Sequence, residues 1–416
     1  MERSLAPHEA AITAAGVRLV LSCDVAGDLD DAVLAQALAH LQASTPLLTG
    51  KITQGPGNQP LVVIPDADAG PVLGHGADFD EEINAPLAWD QGPLLRATVV
   101  REPGRTRVVL SLPRAFSDGM SYLSLHQRLW DTYTSLATGR PVSAGLIQPV
   151  LGPALDDLLA PRFTSAQLRD FVAERARLDA ERPPALVPAL ASHDGGPGED
   201  MSLRVIGIDL DGDRCEGLVR RAREASLSVN SLVSGVLLTS LRSLLPNQDG
   251  PARLLCTTAV DMRRRLTPPL PAEVLQSAAT TTSIRLEVSG EADPVAVGQD
   301  LAARLKADLD SGAAAMELAA FPYMLDQHPP SLVITNVGTI TEPALPEGLR
   351  VSDVRLAPLG HVPMIFAVVS RYQARLAVDL TYSRAWYTDA QIRQLSDHAS
   401  AAFDHLTTAD GALLRY

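Results

Sequence analysis

Lysine is almost missing from this chain. Of its 35 basic residues only Lys51 and Lys306 are lysine, and arginine supplies the rest. Together with abundant alanine, that balance reads as the codon bias of a GC-rich genome and not as a binding feature. Positive charge is short overall, with a formal net charge of −14 at pH 7. A polyanion binder needs a Lys/Arg field to displace condensed counterions, so nucleic acid is not an expected partner. The acidic surface suits a basic partner or plain solubility. Cysteine is scarce too: Cys23, Cys215 and Cys256 are far apart, odd in number and without CxxC spacing. Cys23 in "VRLVLSCDV" and Cys256 in "RLLCTTAV" are expected as buried strand residues.

Other signals are absent. No apolar run approaches the ~18 residues of a membrane span, and "MERSLAPHEAA" lacks the apolar core of a signal peptide. A soluble, cytoplasmic, monomeric chain is the expectation. There is no G-x-x-x-x-G-K, no G-x-G-x-x-G after a strand, no H-E-x-x-H and no G-x-S-x-G. "DLDGDRCEG" looks like a calcium loop but lacks the terminal bidentate Glu, and reads better as a strand end and helix cap. No metal and no cofactor are implied.

What is present is a globular chain of 416 residues, 46% hydrophobic and 20% charged. That length suits two domains of about 200 residues each. The first half opens with the strand "GVRLVLSCDVAG", with Val17, Leu19, Leu21, Cys23 and Val25 on one face. The helix "DLDDAVLAQALAHLQAST" follows, capped by Asp28 or Asp30. "QPLVVIP" and the Pro-Gly-linked pair "LLRATVVREPGRTRVVLSL" are further strands. "SYLSLHQRLWDTYTSLATG" is a helix with Leu123, Leu129, Trp130, Tyr133 and Leu136 inward. Residues 141–200 are Pro/Gly-rich around one amphipathic helix, "TSAQLRDFVAERARLDA", and read as a crossover between residues 1–140 and 201–416. The second half repeats the start, with strand "SLRVIGIDL" and helix "DGDRCEGLVRRAREA". "LSVNSLVSGVLLTSLRSLL" is apolar enough to be buried on most sides, six strands follow, and the chain closes on the helix "TDAQIRQLSDHASAAFDHL". Each half is therefore an open sheet with helices packed on it, α/β or α+β in kind.

The stretch "PRAFSDG", Pro113 to Gly119, lies where a strand turns into a helix. Here the chain resembles the condensation-type acyltransferase superfamily, which shares H-H-x-x-x-D-G at such a turn. That superfamily includes chloramphenicol acetyltransferases, peptide-synthetase condensation domains, BAHD enzymes and the polyketide-associated acyltransferases of phthiocerol dimycocerosate synthesis. The likeness runs on through "STPLLTGKI", "LSVNSLVSGVLLTSL" and "TTAVDMRRRLTPP", the last similar to a P-V-D-L-R stretch of the polyketide-associated branch. "VITNVGTI" is similar to the S-N-x-G strand of alcohol acyltransferases. The resemblance implies two chloramphenicol acetyltransferase-like subdomains, each an open mixed sheet with helices, forming a V-shaped pseudo-dimer with a channel between them.

The resemblance also assigns roles. The second histidine is the general base that deprotonates a hydroxyl or amine attacking an acyl thioester. The aspartate pairs with a distant arginine to hold the loop, and the glycine permits the turn. Carried over, Pro113 and Arg114 replace the two histidines, while Asp118, Gly119, Asp261 and Arg263 keep the structural part. Arg114 has no acceptor lone pair and stays protonated, so it cannot be the base. It can bind a carboxylate, stabilise an oxyanion or pair with Asp118. His361 in "PLGHVPM" is a candidate relocated base at the start of a late strand, and His8 in "LAPHEAA", in a segment similar to one of the polyketide-associated branch, is expected at the surface, the alternative being that it reaches the channel mouth. Ser117 can donate a hydrogen bond at the motif but lacks an activating histidine. Thr335, Asn336 and Gly338 are candidates for substrate binding, together with Pro113.

Two readings follow. One is a biosynthetic enzyme for a hydrophobic acyl, polyketide-like or peptide-like substrate, free or held on an acyl carrier protein or coenzyme A. It would perform atypical acyl transfer or a diverged reaction such as cyclisation. The other is a catalytically silent homologue that binds an acyl chain or docks a synthase partner.

Overall fold

The computed structural model describes every residue except 66–72, 144, 146, 149–150, 191–195, 247–248, 325–327 and 409–416. Parts of the Pro/Gly-rich stretches thus lie outside the described residues. The elements in chain order begin with β1 (Glu2–Ser4), α1 (Pro7–Ala14), β2 (Arg18–Ala26), α2 (Asp31–Ser44), β3 (Lys51–Gln54) and β4 (Pro60–Val63). Then come β5 (Leu73–Gly76), α3 (Phe79–Asn84), β6 (Arg96–Glu102), β7 (Arg105–Pro113), α4 (Gly119–Ala137) and α5 (Leu155–Leu159). The chain continues with α6 (Ser165–Glu181), β8 (Leu203–Leu210), α7 (Gly212–Glu224), α8 (Val229–Arg242), β9 (Ala252–Asp261) and β10 (Ala279–Val288). It ends with α9 (Pro294–Ser311), α10 (Ala313–Ala319), β11 (Leu332–Ile340), β12 (Arg350–Leu359), β13 (Phe366–Tyr372), β14 (Arg375–Ser383) and α11 (Asp389–Thr407). Among the described residues no helix is long and apolar enough to cross a membrane.

The chain divides into two compact units that are not contiguous in sequence. The first comprises residues 1–161, 261–279 and 340–360, and the second comprises 162–260, 280–339 and 361–416. In the first, a five-stranded sheet runs β12-β2-β7-β6-β5, and a small sheet β1-β4-β3 stands beside α1. The late strand β12 pairs antiparallel with β2 along its whole length, Val354 opposite Cys23 and Leu359 opposite Arg18. β2 is buried on both faces, since Val20 and Ser22 are as enclosed as Leu19, Leu21 and Cys23. The alternating pattern pointed to one inward face, whereas both faces of this strand are closed.

Helix α4 carries the packing of this unit. Tyr122, Leu125, His126, Leu129, Trp130 and Tyr133 are buried, whereas Leu123 and Leu136 are only half-buried, one step off the inward stripe. The Tyr133 hydroxyl accepts the Asp30 backbone N–H at 3.1 Å, tying α4 to the start of α2, where Asp30 is the N-cap. Trp130 Nε1 donates to His126 Nε2 at 2.9 Å, one helical turn away. His126 is buried, and burial pushes its pKa down to about 4.

In the second unit a six-stranded sheet runs β10-β9-β11-β13-β14-β8, with β9 and β11 parallel. Helices α7, α8, α9 and α11 contribute to one apolar core with it, including Leu218, Val236, Leu301 and Phe403. The expectation for α8 holds: nearly all its positions from Ser231 to Arg242 are buried. It touches α9 almost backbone to backbone, because a Cβ on Gly235 would lie 2.0 Å from the Pro294 carbonyl oxygen, and one on Gly298 2.6 Å from that of Ser231. The sequence reading did not foresee α1, α9 or α10. Helix α6, read as part of a crossover, is bonded into this unit. Arg175 meets Glu317 at 2.7 Å, and Asp179 accepts from Nε and Nη2 of Arg285, each at 2.7 Å.

Two outcomes follow for stability. Gly235→Ala forces backbone apart and is expected to cost about 1–3 kcal/mol in denaturant unfolding; a neutral substitution would contradict the close α8–α9 contact. An unfolded His126 titrates near 6.5 and the folded one near 4, so between these pH values only the unfolded chain binds the proton. That contribution to stability is whole above pH 6.5 and is lost toward pH 4, at about 1.4 kcal/mol per pH unit for one proton. His126→Gln should flatten the acid slope by one proton, and an unchanged slope would refute the assignment.

Candidate active site

Strand β7 ends at Pro113, Arg114–Phe116 form a single 3-10 turn, and α4 starts at Gly119. Asp118 is the N-cap of α4: its Oδ1 accepts the Ser121 N–H at 2.8 Å, and Ser121 Oγ accepts the Asp118 N–H at 3.2 Å. The same carboxylate takes Nη2 of Arg263 on both oxygens, at 3.1 and 3.0 Å, and the Ala278 N–H at 2.8 Å. Both side chains are 3% exposed. Arg263 then uses Nη1 on the carbonyls of Pro271 and Val274, at 2.7 and 3.2 Å, and Nη2 on that of Gln276, at 2.8 Å. Asp261 accepts the Arg263 N–H at 2.9 Å and so closes the turn that presents it. Thus Asp118, Asp261 and Arg263 come together within the first unit. Gly119 is not among the glycines at positive φ; it takes the first helical position, so the turn does not rest on left-handed glycine freedom.

Arg114 is held separately. Its Nη1 donates to the Ser117 carbonyl at 2.8 Å and to Ser277 Oγ at 2.6 Å, and its backbone N–H to the Val17 carbonyl at 3.0 Å. Burial pulls its pKa below the ordinary arginine value, while the charge of Asp118 pushes it back up. Asp118 shares no hydrogen bond with Arg114 among the described residues, because the carboxylate is filled by Arg263, Ser121 and Ala278. The guanidinium charge is therefore not neutralised by direct pairing. Pro113 and Ser117 are buried, and Ser117 Oγ donates to the Pro113 carbonyl at 3.3 Å.

Sequence reasoning missed two neighbours of Arg114. Ser277, at the head of the strand-like run "QSAATTTSIRLEV", is buried just ahead of β10 and meets Arg114. His8 was expected at the surface, and this is a correction. Helix α1 packs on the Arg114–Phe116 turn, and His8 sits half-buried at its N-terminus. Burial first, and the neighbouring Arg114 charge second, hold its pKa down to about 3, so the imidazole is neutral. The signal was present in "LAPHEA": Pro7 opens a helix, and Glu9 accepts the Ala6 N–H at 3.0 Å as a capping side chain. Arg3 grips Glu9 through both of its carboxylate oxygens at 2.8 Å, and the His8 N–H donates to Asp156 at 3.1 Å.

The remaining candidates lie in the second unit. Thr335 is half-buried on β11, while Asn336 and Gly338 are exposed. Asn336 Oδ1 accepts the Gly338 N–H at 2.7 Å, and Gly338 has φ +75°, so this pair shapes a bend in β11. His361 is exposed in the bend that follows β12, ahead of β13 and not at its start.

Comparison with known proteins bears on the fold and the family likeness. Residues 199–383 match the family model of the phthiocerol/phthiodiolone dimycocerosyl transferase C-terminus. A phthiocerol/phthiodiolone dimycocerosyl transferase of Mycobacterium tuberculosis is 27% identical over 282 residues, 65% of each chain. The chain thus spans less than two thirds of the length of that curated relative. The structure of polyketide synthase associated protein 5 from Mycobacterium tuberculosis matches with TM-score 0.74 at 21% identity, over 96% of this chain and 98% of that one. The first condensation domain of the calcium-dependent antibiotic synthetase matches with TM-score 0.75 at 17% identity, over 99% and 98%. The fold is that of the condensation-type acyltransferases, and in sequence the chain resembles their phthiocerol dimycocerosyl transferase branch.

Breaking one partner of a buried ion pair leaves the other charge stranded, at about 3–5 kcal/mol. Asp118→Ala and Arg263→Ala are each expected to destabilise the chain by that amount in chemical denaturation. The double variant should lose clearly less than the sum; simple additivity would show that the two are not coupled.

Proposed function

We propose that this chain is a biosynthetic protein of the condensation/acyltransferase type that acts on a hydrophobic acyl, polyketide-like or peptide-like group. The group is carried as a thioester on an acyl carrier protein or coenzyme A. Arg114 serves there as a fixed cation and not as a base. The observation that carries this reading is the un-neutralised guanidinium at the motif's second histidine position, held by Ser117 and Ser277. When a nucleophile attacks a thioester carbonyl, negative charge develops on its oxygen. A preorganised, desolvated guanidinium favours that charge, and needs no reorganisation at the moment it appears. The same cation suits a carboxylate on the substrate, which leaves room for a diverged condensation or cyclisation. The names of the relatives support acyl or condensation chemistry as the class.

The lack of a base at the motif favours a second reading, a silent homologue that binds acyl chains. The two separate in one assay. Purified protein is offered a panel of acyl-coenzyme A and acyl-pantetheine thioesters with alcohol and amine acceptors. Thiol release and product mass are then followed. Turnover with a loss of about 10²–10³-fold in kcat for Arg114→Ala, partly recovered by Arg114→Lys, is the expected result. Full turnover by Arg114→Ala would remove Arg114 from the chemistry. Tight thioester binding without product would establish the silent reading.

A further inference from the structure

Arg114 is half-buried, and both of its side-chain hydrogen bonds leave from Nη1, to the Ser117 carbonyl and to Ser277 Oγ. Nε and Nη2 have no hydrogen-bond partner among the described residues, and neither is sealed from solvent. Nε of Arg3, Arg18 and Arg263 also lacks a partner, but there it is enclosed by protein. Elsewhere the chain closes this same edge of the guanidinium on a carboxylate. Arg96 gives Nε and Nη2 to the two oxygens of Glu82 at 2.8 and 2.7 Å, and Arg285 gives them to those of Asp179, each at 2.7 Å. No described carboxylate does so for Arg114, and Asp118 is committed to Arg263.

We infer that the Nε–Nη2 edge of Arg114 binds a free carboxylate on the substrate through two parallel N–H···O bonds. This rests on the acyl-transfer reading above and names the substrate class for that site: a donor or acceptor that carries an acid group apart from its reacting centre. A guanidinium fork and a carboxylate match in plane, spacing and charge, whereas an alcohol, ester or amide oxygen offers one neutral acceptor. The two bonds from Nη1 fix the plane of the fork before the ligand arrives, so little side-chain freedom is lost on binding. A neutral acyl chain would leave this half-buried cation with neutral partners only. A carboxylate completes the pairing that Arg96 and Arg285 already show.

Charge favours a carboxylate over a phosphate. Arg263, the other guanidinium at this turn, is spent on Asp118 and on three carbonyls. One guanidinium matches one negative charge, while a phosphate dianion calls for more cations or a nest of backbone N–H groups. A carboxylate on Nε–H and one N–H of Nη2 leaves the second Nη2 N–H to spare. That donor remains for the carbonyl oxygen on which charge develops during transfer. The fork positions the substrate, and its remaining N–H serves the reaction.

The test offers matched ligand pairs to the wild-type chain and to Arg114→Ala, Arg114→Gln and Arg114→Lys, with circular dichroism as the check of folding. In the donor pair, decanedioyl-coenzyme A with a free ω-carboxylate is set against its ω-methyl ester. In the acceptor pair, ω-hydroxydecanoate is set against its methyl ester, with decanoyl-coenzyme A as donor. Calorimetric Kd and KM are read for each member. In at least one pair the wild-type chain is expected to prefer the acid by at least about 10-fold, and that pair tells which substrate carries the carboxylate. Arg114→Ala and Arg114→Gln should erase the preference, and Arg114→Lys, which keeps the charge but not the fork, should restore only a small part of it. A merely structural role would shift both members of a pair alike. Turnover without a preference in either pair overturns this inference and leaves the proposed function standing. A preference that survives Arg114→Ala overturns it too, as does displacement of the bound acid by inorganic phosphate at lower concentration than by acetate. Neither binding nor turnover of any thioester by the wild-type chain overturns both.

Discussion

The contact between Asp118 and Arg263 links parts of the first unit that lie 145 residues apart in sequence. One carboxylate caps α4, receives the guanidinium and accepts the N–H of Ala278. The guanidinium in turn gathers three carbonyls from residues 271–276. Each group on its own would be costly to bury, and together they leave few lone pairs or protons unsatisfied. The consequence reaches past stability. The segment bearing Ser277 is stapled to the start of α4, and Ser277 is what Arg114 holds. Loss of the pair would release both the helix cap and the partner of the motif's cation.

That arrangement explains why Arg114 keeps its charge available. A guanidinium four residues from a carboxylate in a helix-start turn would ordinarily pair with it. Here Arg263 occupies the carboxylate from the other side, leaving Arg114 with neutral acceptors only, a carbonyl and a hydroxyl. Neutral acceptors fix direction without discharging the ion. An arginine in this position is thus no simple filler for a lost histidine; it changes the electrostatic sign of the turn in every protonation state of interest.

Much of this was legible in the residues. "SDG" and "DMR" led to the ion pair only through the family resemblance they carry, since no local signal in either stretch points to the other 145 residues away. Of the two candidate caps Asp28 and Asp30 the structure selects Asp30, and the strands β6, β7, β8, β13 and β14 were plain, since alternation is a short-range signal. The pairing of β12 with β2 was not, because register between strands over 320 residues apart leaves no trace in either strand alone. Ser277 and His8 were obscured for the same reason. Their importance lies in facing Arg114 from segments that no periodicity connects to it. His361 misled because a Gly-His-x-Pro run looks like a strand entrance, whereas those residues form an exposed bend.

The neutral histidine beside a persistent cation is the part of the site where these lines meet. Burial alone would lower the basicity of His8, and Arg114 lowers it further. In a resting site that combination keeps the imidazole neutral and raises the cost of any stray proton. An incoming negative charge acts on both partners at once: it is attracted by the guanidinium and makes protonation of the imidazole easier. The contact that brings the two side chains under one another's influence is the packing of α1 against Arg114–Phe116.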